Sequence, residues 1–395
     1  MRTLVLLMVV LLLLLLGLVG WFGGSVGAGL SVPPTVMTSD DAQATSSPAP
    51  VQPAEAPQQQ EDADCARAKG IQARLSDMMG RSLSFMLAAQ DSLMGEVDRW
   101  PAQLEGSTDP EALYVAAGGG LGSNLDLMPI GERVARLNAA LAVDATNPMY
   151  LSSLLNLCRQ HPSIAGCDLP DVERRLAEFD GDNGLSWALI GASCAAREDV
   201  PCVVEAMERA SQAPNFRDYY LDRVLLAERV MGAAGLSFPM RSMASFGFAA
   251  SDLLSGADSI RACRVAESPQ LDYACFRFGQ RLEAQAHIMI TQLHGRAVLA
   301  DASKRLGDEQ VLNGLAERGQ RSNDALAAAF GDEEQAVTND VFSARLLWDR
   351  EFFLEFVAHM REVGERQAYL DGATGWGTGP SHCLTPMAPL MEDDT

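Results

Sequence analysis

The chain is poor in basic side chains. Its 395 residues contain 30 Lys and Arg against 52 Asp and Glu, and Lys69 and Lys304 are the only lysines. The formal net charge is −22. Because nucleic-acid phosphates are bound by a basic face and no dense basic cluster is present, this composition argues against a nucleic-acid partner. The same shortage argues against electrostatic docking on anionic lipid.

Signals for β-strands and for catalysis are also scarce. No run of β-branched residues alternates with period two between hairpin turns, so strands are not predicted. The chain has five histidines and no Cys-x-x-Cys motif. Nothing in the pattern marks a pair of carboxylates as a general acid and base. The sequence therefore gives no catalytic or cofactor-binding residue and favours a protein that is not an enzyme.

Two groups of residues could suggest a metal, but neither is complete. His287 and His294 are seven residues apart, whereas a two-histidine site prefers a spacing of four and a third ligand. Cys158, His161 and Cys167 resemble half of a zinc site, and no second half exists. We therefore predict no metal site.

The N-terminal 30 residues form an export signal that is either kept as an anchor or removed. Residues 4–22 are an unbroken apolar run, and as a helix they would reach about 28 Å, enough to cross a bilayer core. Arg2 precedes the run and the next basic residue is Arg67, which predicts a cytoplasmic N-terminus and an exported remainder. The length favours an uncleaved anchor in the bacterial inner membrane, with the rest facing the periplasm. In the alternative interpretation, the small residues that end at Ala28 are a cleavage site. Cleavage there would release a soluble periplasmic or secreted protein.

The segment 31–62 is predicted to be a disordered linker. It is rich in Pro, Gln, Ser and Ala and has no aromatic residue. Such a composition buries too little apolar surface to offset the entropy of ordering.

Helical periodicity dominates the segment 63–370, which we predict to be one α-helical domain, followed by a flexible, acidic Gly/Pro-rich tail over 371–395. The clearest helical segments are 71–97, 216–235, 271–303 and 333–370. The last of these carries large side chains on more than one side and is expected to be mostly buried: Phe342, Leu346, Trp348, Phe352, Phe353, Phe356 and Met360.

A repeat with a period of 36 residues is the most informative feature. Its two units place four residue types in the same order: Asp144, Asn147, Cys158 and Cys167, then Asp180, Asn183, Cys194 and Cys202. Each unit predicts a turn, a helix, a short turn and a second helix. The Asp and Asn are expected to cap the first helix by accepting its free N–H groups. A period in the thirties built of helix pairs is typical of an α-solenoid.

The second unit resembles a tetratricopeptide repeat. Trp187, Ile190 and Gly191 fall where that family has its Trp, Leu and Gly. Ala210 falls at the small residue of the second helix, and Pro214 lies near the closing proline. The chain also resembles exported helical proteins of bacteria in its overall layout.

The resemblance covers 144–215 and has departures. Cys194 stands at the usual aromatic position and Val203 replaces the usual alanine. The earlier unit matches more loosely, with leucines at the Trp-Leu-Gly places: Leu151, Leu154 and Leu155. The expected fold is all-α, either an array of helix hairpins or an irregular α-solenoid.

The resemblance implies a concave groove lined by alternate positions of each first helix. Those positions hold Ser152, Asn156, Arg159, Ala188, Ala192 and Ala195. Because concave repeat surfaces are commonly used for recognition, the implied ligand is another protein or a peptide.

The even number of cysteines in an exported chain predicts disulfides. Eight cysteines allow 105 pairings, and the repeat narrows the choice because each hairpin brings the end of one helix near the start of the next. The predicted pairs are Cys158–Cys167, Cys194–Cys202, Cys263–Cys275 and Cys65–Cys383. The competing pair within the repeat is Cys158–Cys194, which would join adjacent first helices.

We therefore expect a membrane-tethered helical-repeat protein that mediates protein–protein interaction in the cell envelope. A purely structural envelope protein is the alternative, and an all-helical enzyme acting on envelope polymer is less favoured. Convergence of buried titratable groups in a pocket would favour the enzyme. An open groove would favour binding, and a closed, featureless globule would favour the structural protein.

Overall fold

The computed structural model divides the chain into two units, Met1–Ala54 and Glu55–Thr395. All of the described residues belong to the second unit: 63, 65–74, 104, 106–118, 128–253, 256–331, 333–378 and 383–384. The predicted membrane segment, the predicted linker and most of the predicted helix 71–97 lie outside these residues. Within them, no helix is both long and apolar enough to span a bilayer.

The described residues form sixteen helices and no strand, which confirms the all-α prediction. The helices are α1 (65–74), α2 (Pro110–Ala117), α3 (Ile130–Val143), α4 (Pro148–Gln160), α5 (Leu169–Phe179), α6 (Gly184–Ala196), α7 (Val200–Gln212), α8 (Tyr220–Ala233), α9 (Phe238–Leu253), α10 (Gly256–Ala262), α11 (Pro269–Gln285), α12 (Met289–Leu306), α13 (Glu309–Gly331), α14 (Glu333–Trp348), α15 (Arg350–Val363) and α16 (Glu365–Ala373).

The repeat corresponds to successive helix pairs, α4–α5 and α6–α7, each closed by packing of its two helices. Asn147 and Asn183 cap the first helices through their side-chain oxygens, as expected. The Asp of each unit has a different role from the one predicted. Asp144 and Asp180 accept a hydrogen bond from the Asn side-chain amide, at 2.9 Å in both units, instead of binding the helix N–H groups.

A third pair, α8–α9, continues the same spacing. The helices α4, α6 and α8 begin at Pro148, Gly184 and Tyr220, so each starts 36 residues after the one before. The sequence repeat does not reveal this third pair, because Phe216 and Tyr219 stand where the earlier units have Asp and Asn.

The core consists of three clusters of buried side chains. The largest runs from Leu104 to Ala302 and joins helices α2 to α7 with α8, α11 and α12. The second is aromatic and centres on Phe352, Phe353 and Phe356 of α15, all fully buried. The third joins α1 to α14 and to residues 383–384. Helix α8 contributes to the first two clusters and therefore lies between them.

Two predicted helical segments are interrupted. The segment 271–303 breaks at 286–288, where the carbonyl oxygen of His287 accepts a hydrogen bond from the Glu365 amide at 2.7 Å. The segment 333–370 forms three helices. Asp349 caps the second by accepting from the Phe352 amide, and Gly364, with φ +86°, separates the second from the third. The segment 333–370 was expected to be mostly buried, and this is confirmed at its four Phe residues.

Helices α11 and α12 approach each other closely at two glycines. A Cβ added to Gly279 would lie 2.6 Å from the Leu299 nitrogen, and one added to Gly295 would lie 2.5 Å from the Glu283 nitrogen. Side chains at these positions would push the two backbones apart, so the contact between the helices depends on glycine.

All eight cysteines are paired. The four disulfides have the predicted partners: Cys65–Cys383, Cys158–Cys167, Cys194–Cys202 and Cys263–Cys275. The competing pair between the first helices of the two units is not formed. Four disulfides are typical of an oxidising compartment outside the cytoplasm.

The helical domain continues past residue 370, where the tail was expected to begin. Trp376 stacks on His359 with ring centroids 4.4 Å apart and also packs against Phe352. Thr378 and Cys383 are buried. The aromatic cluster therefore holds the chain as far as Thr378, because Trp376 provides an apolar anchor beyond the last helix.

Candidate functional site

A cavity of about 80 Å³ lies on the side of the repeat where the first helices meet the later part of the chain. Ser152 and Asn156 of α4 and Ala188 of α6 form one wall. Leu282 of α11 and His294 of α12 form part of the other. Three of the six residues expected to line a groove therefore lie together around this cavity.

The other three expected groove residues do not line the cavity. Arg159 and Ala192 are buried, and Ala195 is half-buried. Helix α10 packs against both α6 and α12 on this side of the fold. The face expected to be an open groove is therefore partly covered, and a cavity that is still open to solvent on one side takes its place.

The segment 217–219, which leads into α8, forms the rim of the cavity. Tyr219 is the residue before this helix and has left-handed backbone angles, φ 58° and ψ 12°. Such a conformation costs a non-glycine residue about 1–3 kcal/mol and persists only where surrounding contacts enforce it. Asn147 and Asn183, at the same position of the earlier units, have negative φ values of −68° and −103°.

Side chains of the preceding unit hold this rim segment in place. The Tyr219 hydroxyl donates to Asp180 Oδ1 at 2.7 Å. Asn183 binds the backbone of Arg217 twice, donating to its carbonyl at 2.8 Å and accepting from its amide at 3.0 Å. Ser186 also donates to Asp180. The Asp and Asn that mark the repeat in the sequence therefore also position the edge of the cavity.

Asp218 is the only carboxylate among the described residues that line the cavity. Its Oδ1 accepts from the Tyr220 amide and its Oδ2 from the Thr291 hydroxyl, both at 3.0 Å. Burial raises the pKa of Asp218, against the opposing effects of these hydrogen bonds and of the charges of Arg223 and His287. Asp218 is half-buried, and its carboxylate is held in one orientation by neutral donors.

A buried guanidinium lies beside Asp218. Arg223 is 5% exposed and donates to the Asp218 carbonyl at 2.7 Å, to Ser152 at 3.1 Å and to the Tyr114 hydroxyl at 2.9 Å. This arrangement places a fixed positive charge in the cavity wall. It is bonded to the backbone of Asp218, the residue that carries the negative charge.

His294 is a further titratable group that lines the cavity, on the wall formed by α12. Burial lowers the pKa of its imidazole, so the neutral ring is favoured at neutral pH. The spacing of the two histidines suggested one shared helix face, but His287 lies in the break before α12 and only His294 is helical.

A second shielded carboxylate lies next to the cavity without lining it. Glu365 accepts from the Met289 amide at 2.7 Å and so caps α12 from another helix. Burial raises the pKa of Glu365 to about 7, and the negative charge of Asp218 adds to the effect. In the described part of the chain, no group of three or more His, Cys, Asp or Glu is arranged to hold a metal ion.

Sequence reasoning did not find Asp218, Arg223 or Thr291. The only signal that pointed to them is the 36-residue spacing, which places Tyr220 at the start of a third first-helix. Comparison with protein-family models, with curated proteins and with solved structures finds no match for this chain. The tetratricopeptide resemblance therefore rests on the residues of the repeat alone.

Proposed function

We propose that the protein is an exported binding protein that recognises a peptide or a segment of another protein through the cavity beside α4, α6 and α8. The proposal rests chiefly on one observation. Ser152, Asn156 and Ala188, expected from the repeat to face a ligand, lie around a cavity that also contains charges of both signs. In this interpretation the helix pairs are a tetratricopeptide-like array of three units whose concave side is narrowed by α10.

The proposed setting is the periplasmic face of the inner membrane. The apolar run at 4–22 would tether the chain, and the linker would hold the helical domain away from the bilayer. Four disulfides suit that compartment.

Catalysis is the second candidate, because Asp218 and His294 converge on the cavity and burial shifts the pKa of each. Acid–base hydrolysis of a polymer would use two carboxyl groups facing the substrate. Glu365, the other carboxylate of raised pKa, is engaged by the Met289 amide and does not line the cavity. Among the described residues the cavity therefore presents one carboxylate and not the two that this hydrolysis uses, so binding fits the geometry better.

A photo-crosslinking amino acid placed at Asn156 tests this function in the native envelope. Gln160 lies one turn further along the same helix, is exposed and does not line the cavity, so it provides the matched control position. We expect a reproducible adduct with one protein or peptide from position 156 and none from position 160. Equal labelling from both positions, or no adduct from either, would contradict the proposal.

A further inference from the structure

The geometry points to a free α-amino group, together with its adjacent carbonyl or carboxylate oxygen, as the chemical group that the cavity binds at Asp218. This inference rests on the proposed function, since it takes the cavity to be the recognition site. It adds the chemistry of the ligand, which neither the repeat nor the fold specifies.

The carboxylate of Asp218 has unused capacity as an acceptor. An ionised carboxylate offers about four acceptor positions, and the two oxygens of Asp218 each accept one hydrogen bond, from the Tyr220 amide and the Thr291 hydroxyl. Both donors are neutral, and Asp218 forms no ion pair with the described residues. A carboxylate that is partly withdrawn from water is stabilised by a hydrogen-bonded cation, which an ammonium group entering the cavity would supply.

A bare metal ion fits this environment poorly. Calcium takes six to eight oxygen ligands, often from several carboxylates, whereas Asp218 is the only carboxylate that the described part of the chain places in the lining of this cavity. The positive charge of Arg223 in the same wall also disfavours a bare cation. The ligand therefore needs a negative or electron-rich atom close to its positive one.

An α-amino group with its neighbouring oxygen meets that requirement. Arg223 donates to the Asp218 carbonyl at 2.7 Å, so the guanidinium lies within a few ångströms of this acidic residue. His294 provides a further polar contact on the far wall. The ammonium would bind Asp218 while the carbonyl or carboxylate oxygen faces Arg223.

The size of the cavity agrees with a ligand group of this kind. At about 30 Å³ per water, a volume of 80 Å³ holds roughly three water-sized groups, which is enough for an ammonium group and the atoms next to it. The source of the group is either a free small amino acid or the N-terminal residue of a peptide.

The backbone conformation of Tyr219 is a separate indication that the rim of the cavity belongs to a ligand site. The third helix pair departs from the conformation of the earlier two at this position, with φ +58° where they have negative values. The departure occurs at the residue after Asp218, and the Tyr219 hydroxyl bond to Asp180 supports it. Strained residues of this kind cluster at ligand sites.

Isothermal titration of the full chain with three probes tests the inference. The probes are glycine, triglycine and N-acetyl-triglycine. We expect binding of glycine, triglycine or both, and at least tenfold weaker binding of the acetylated peptide, because acetylation removes the ammonium charge. Preference for glycine identifies a free amino acid as the source, and preference for triglycine identifies a peptide N-terminus.

The Asp218→Asn variant should weaken binding of the preferred probe at least tenfold. Asp222→Asn is the matched control, because Asp222 lies in the first turn of α8, four residues after Asp218, is exposed and pairs with Arg361 outside the cavity. The comparison of acetylated and free peptide uses the unmodified chain, so the test stands even where the Asp218 variant does not fold.

Equal binding of the free and acetylated peptides would overturn the inference, as would the absence of binding by all three probes. The proposed function would still stand in either case if the crosslinking experiment gave an adduct from position 156. The ligand would then be recognised through a different group.

Discussion

The Tyr219 hydroxyl donates to Asp180 Oδ1 at 2.7 Å, a bond that joins the second helix pair to the start of the third. Asp180 is 2% exposed and also accepts from Asn183 and Ser186. The repeat therefore uses one buried carboxylate both to orient the cap of α6 and to fix the rim of the cavity.

Removal of this hydroxyl tests how strongly the rim is held. Tyr219→Phe should lower the free energy of unfolding by about 1.5–3 kcal/mol, because it removes a hydrogen bond to a charged, buried acceptor. Denaturant titration measures the change. Tyr273→Phe is the control, since Tyr273 is 56% exposed, and it should leave stability within about 0.5 kcal/mol. Equal effects of the two substitutions would contradict this assignment.

Glu365 should make stability depend on pH. Its pKa is raised to about 7 in the folded protein from an ordinary value of 4.5. The folded state therefore holds this proton more tightly than the unfolded state does, and the resulting stabilisation is complete below pH 4.5. It is lost as the pH rises through about 7.

The Glu365→Gln variant isolates this contribution. Its free energy of unfolding should fall less than that of the unmodified chain between pH 4.5 and 8, by up to about 3 kcal/mol from the linkage relation. Denaturant titrations at several pH values provide the comparison, with the exposed Glu355→Gln as control. Parallel pH profiles for the unmodified chain and Glu365→Gln would refute the raised pKa.

Replacement of glycine by alanine should have opposite effects at Gly279 and Gly319, because only Gly279 lies in the close contact between α11 and α12. Gly279→Ala would place a methyl group 2.6 Å from the Leu299 nitrogen and should destabilise the fold by about 1–3 kcal/mol. Gly319→Ala meets no atom within 4 Å and should stabilise α13 by up to about 1 kcal/mol. Thermal unfolding of both variants distinguishes them. A stabilising Gly279→Ala would show that the helices are further apart.

The disulfides should differ in their contribution to stability. Cys65–Cys383 spans 318 residues of sequence, whereas Cys158–Cys167 spans nine. In the chain-entropy model the longer loop gives about 5–6 kcal/mol and the shorter about 2.6 kcal/mol. Replacing both cysteines of each pair by serine, followed by denaturant titration, should therefore destabilise the 65/383 variant more. The reverse order would contradict the entropic account.

Some of this fold could be predicted from the sequence because its signals are local. The periodicity, the capping Asn147 and Asn183, and the spacing of the cysteines each concern residues close together in the chain. The interruption at 286–288 could not be predicted, because Glu365, on another helix, binds both His287 and Met289 there.

The cavity shows the same division between local and distant contacts. Ser152, Asn156 and Ala188 were expected from the tetratricopeptide resemblance, which rests on residues within each unit. Asp218 and Arg223 have no motif around them, and their role depends on where the third helix pair meets α12. The partial cover of the groove by α10 is likewise a tertiary contact that no short segment of sequence encodes.

The most direct measurement is the electron density inside the cavity, in crystals of the protein isolated from its native envelope without denaturation. Our account predicts continuous density for a small group beside Asp218, with an atom within hydrogen-bond distance of its carboxylate. A cavity that contains only water, with Ser152, Asn156 and Asp218 arranged as described above, would contradict the claim that this is the recognition site.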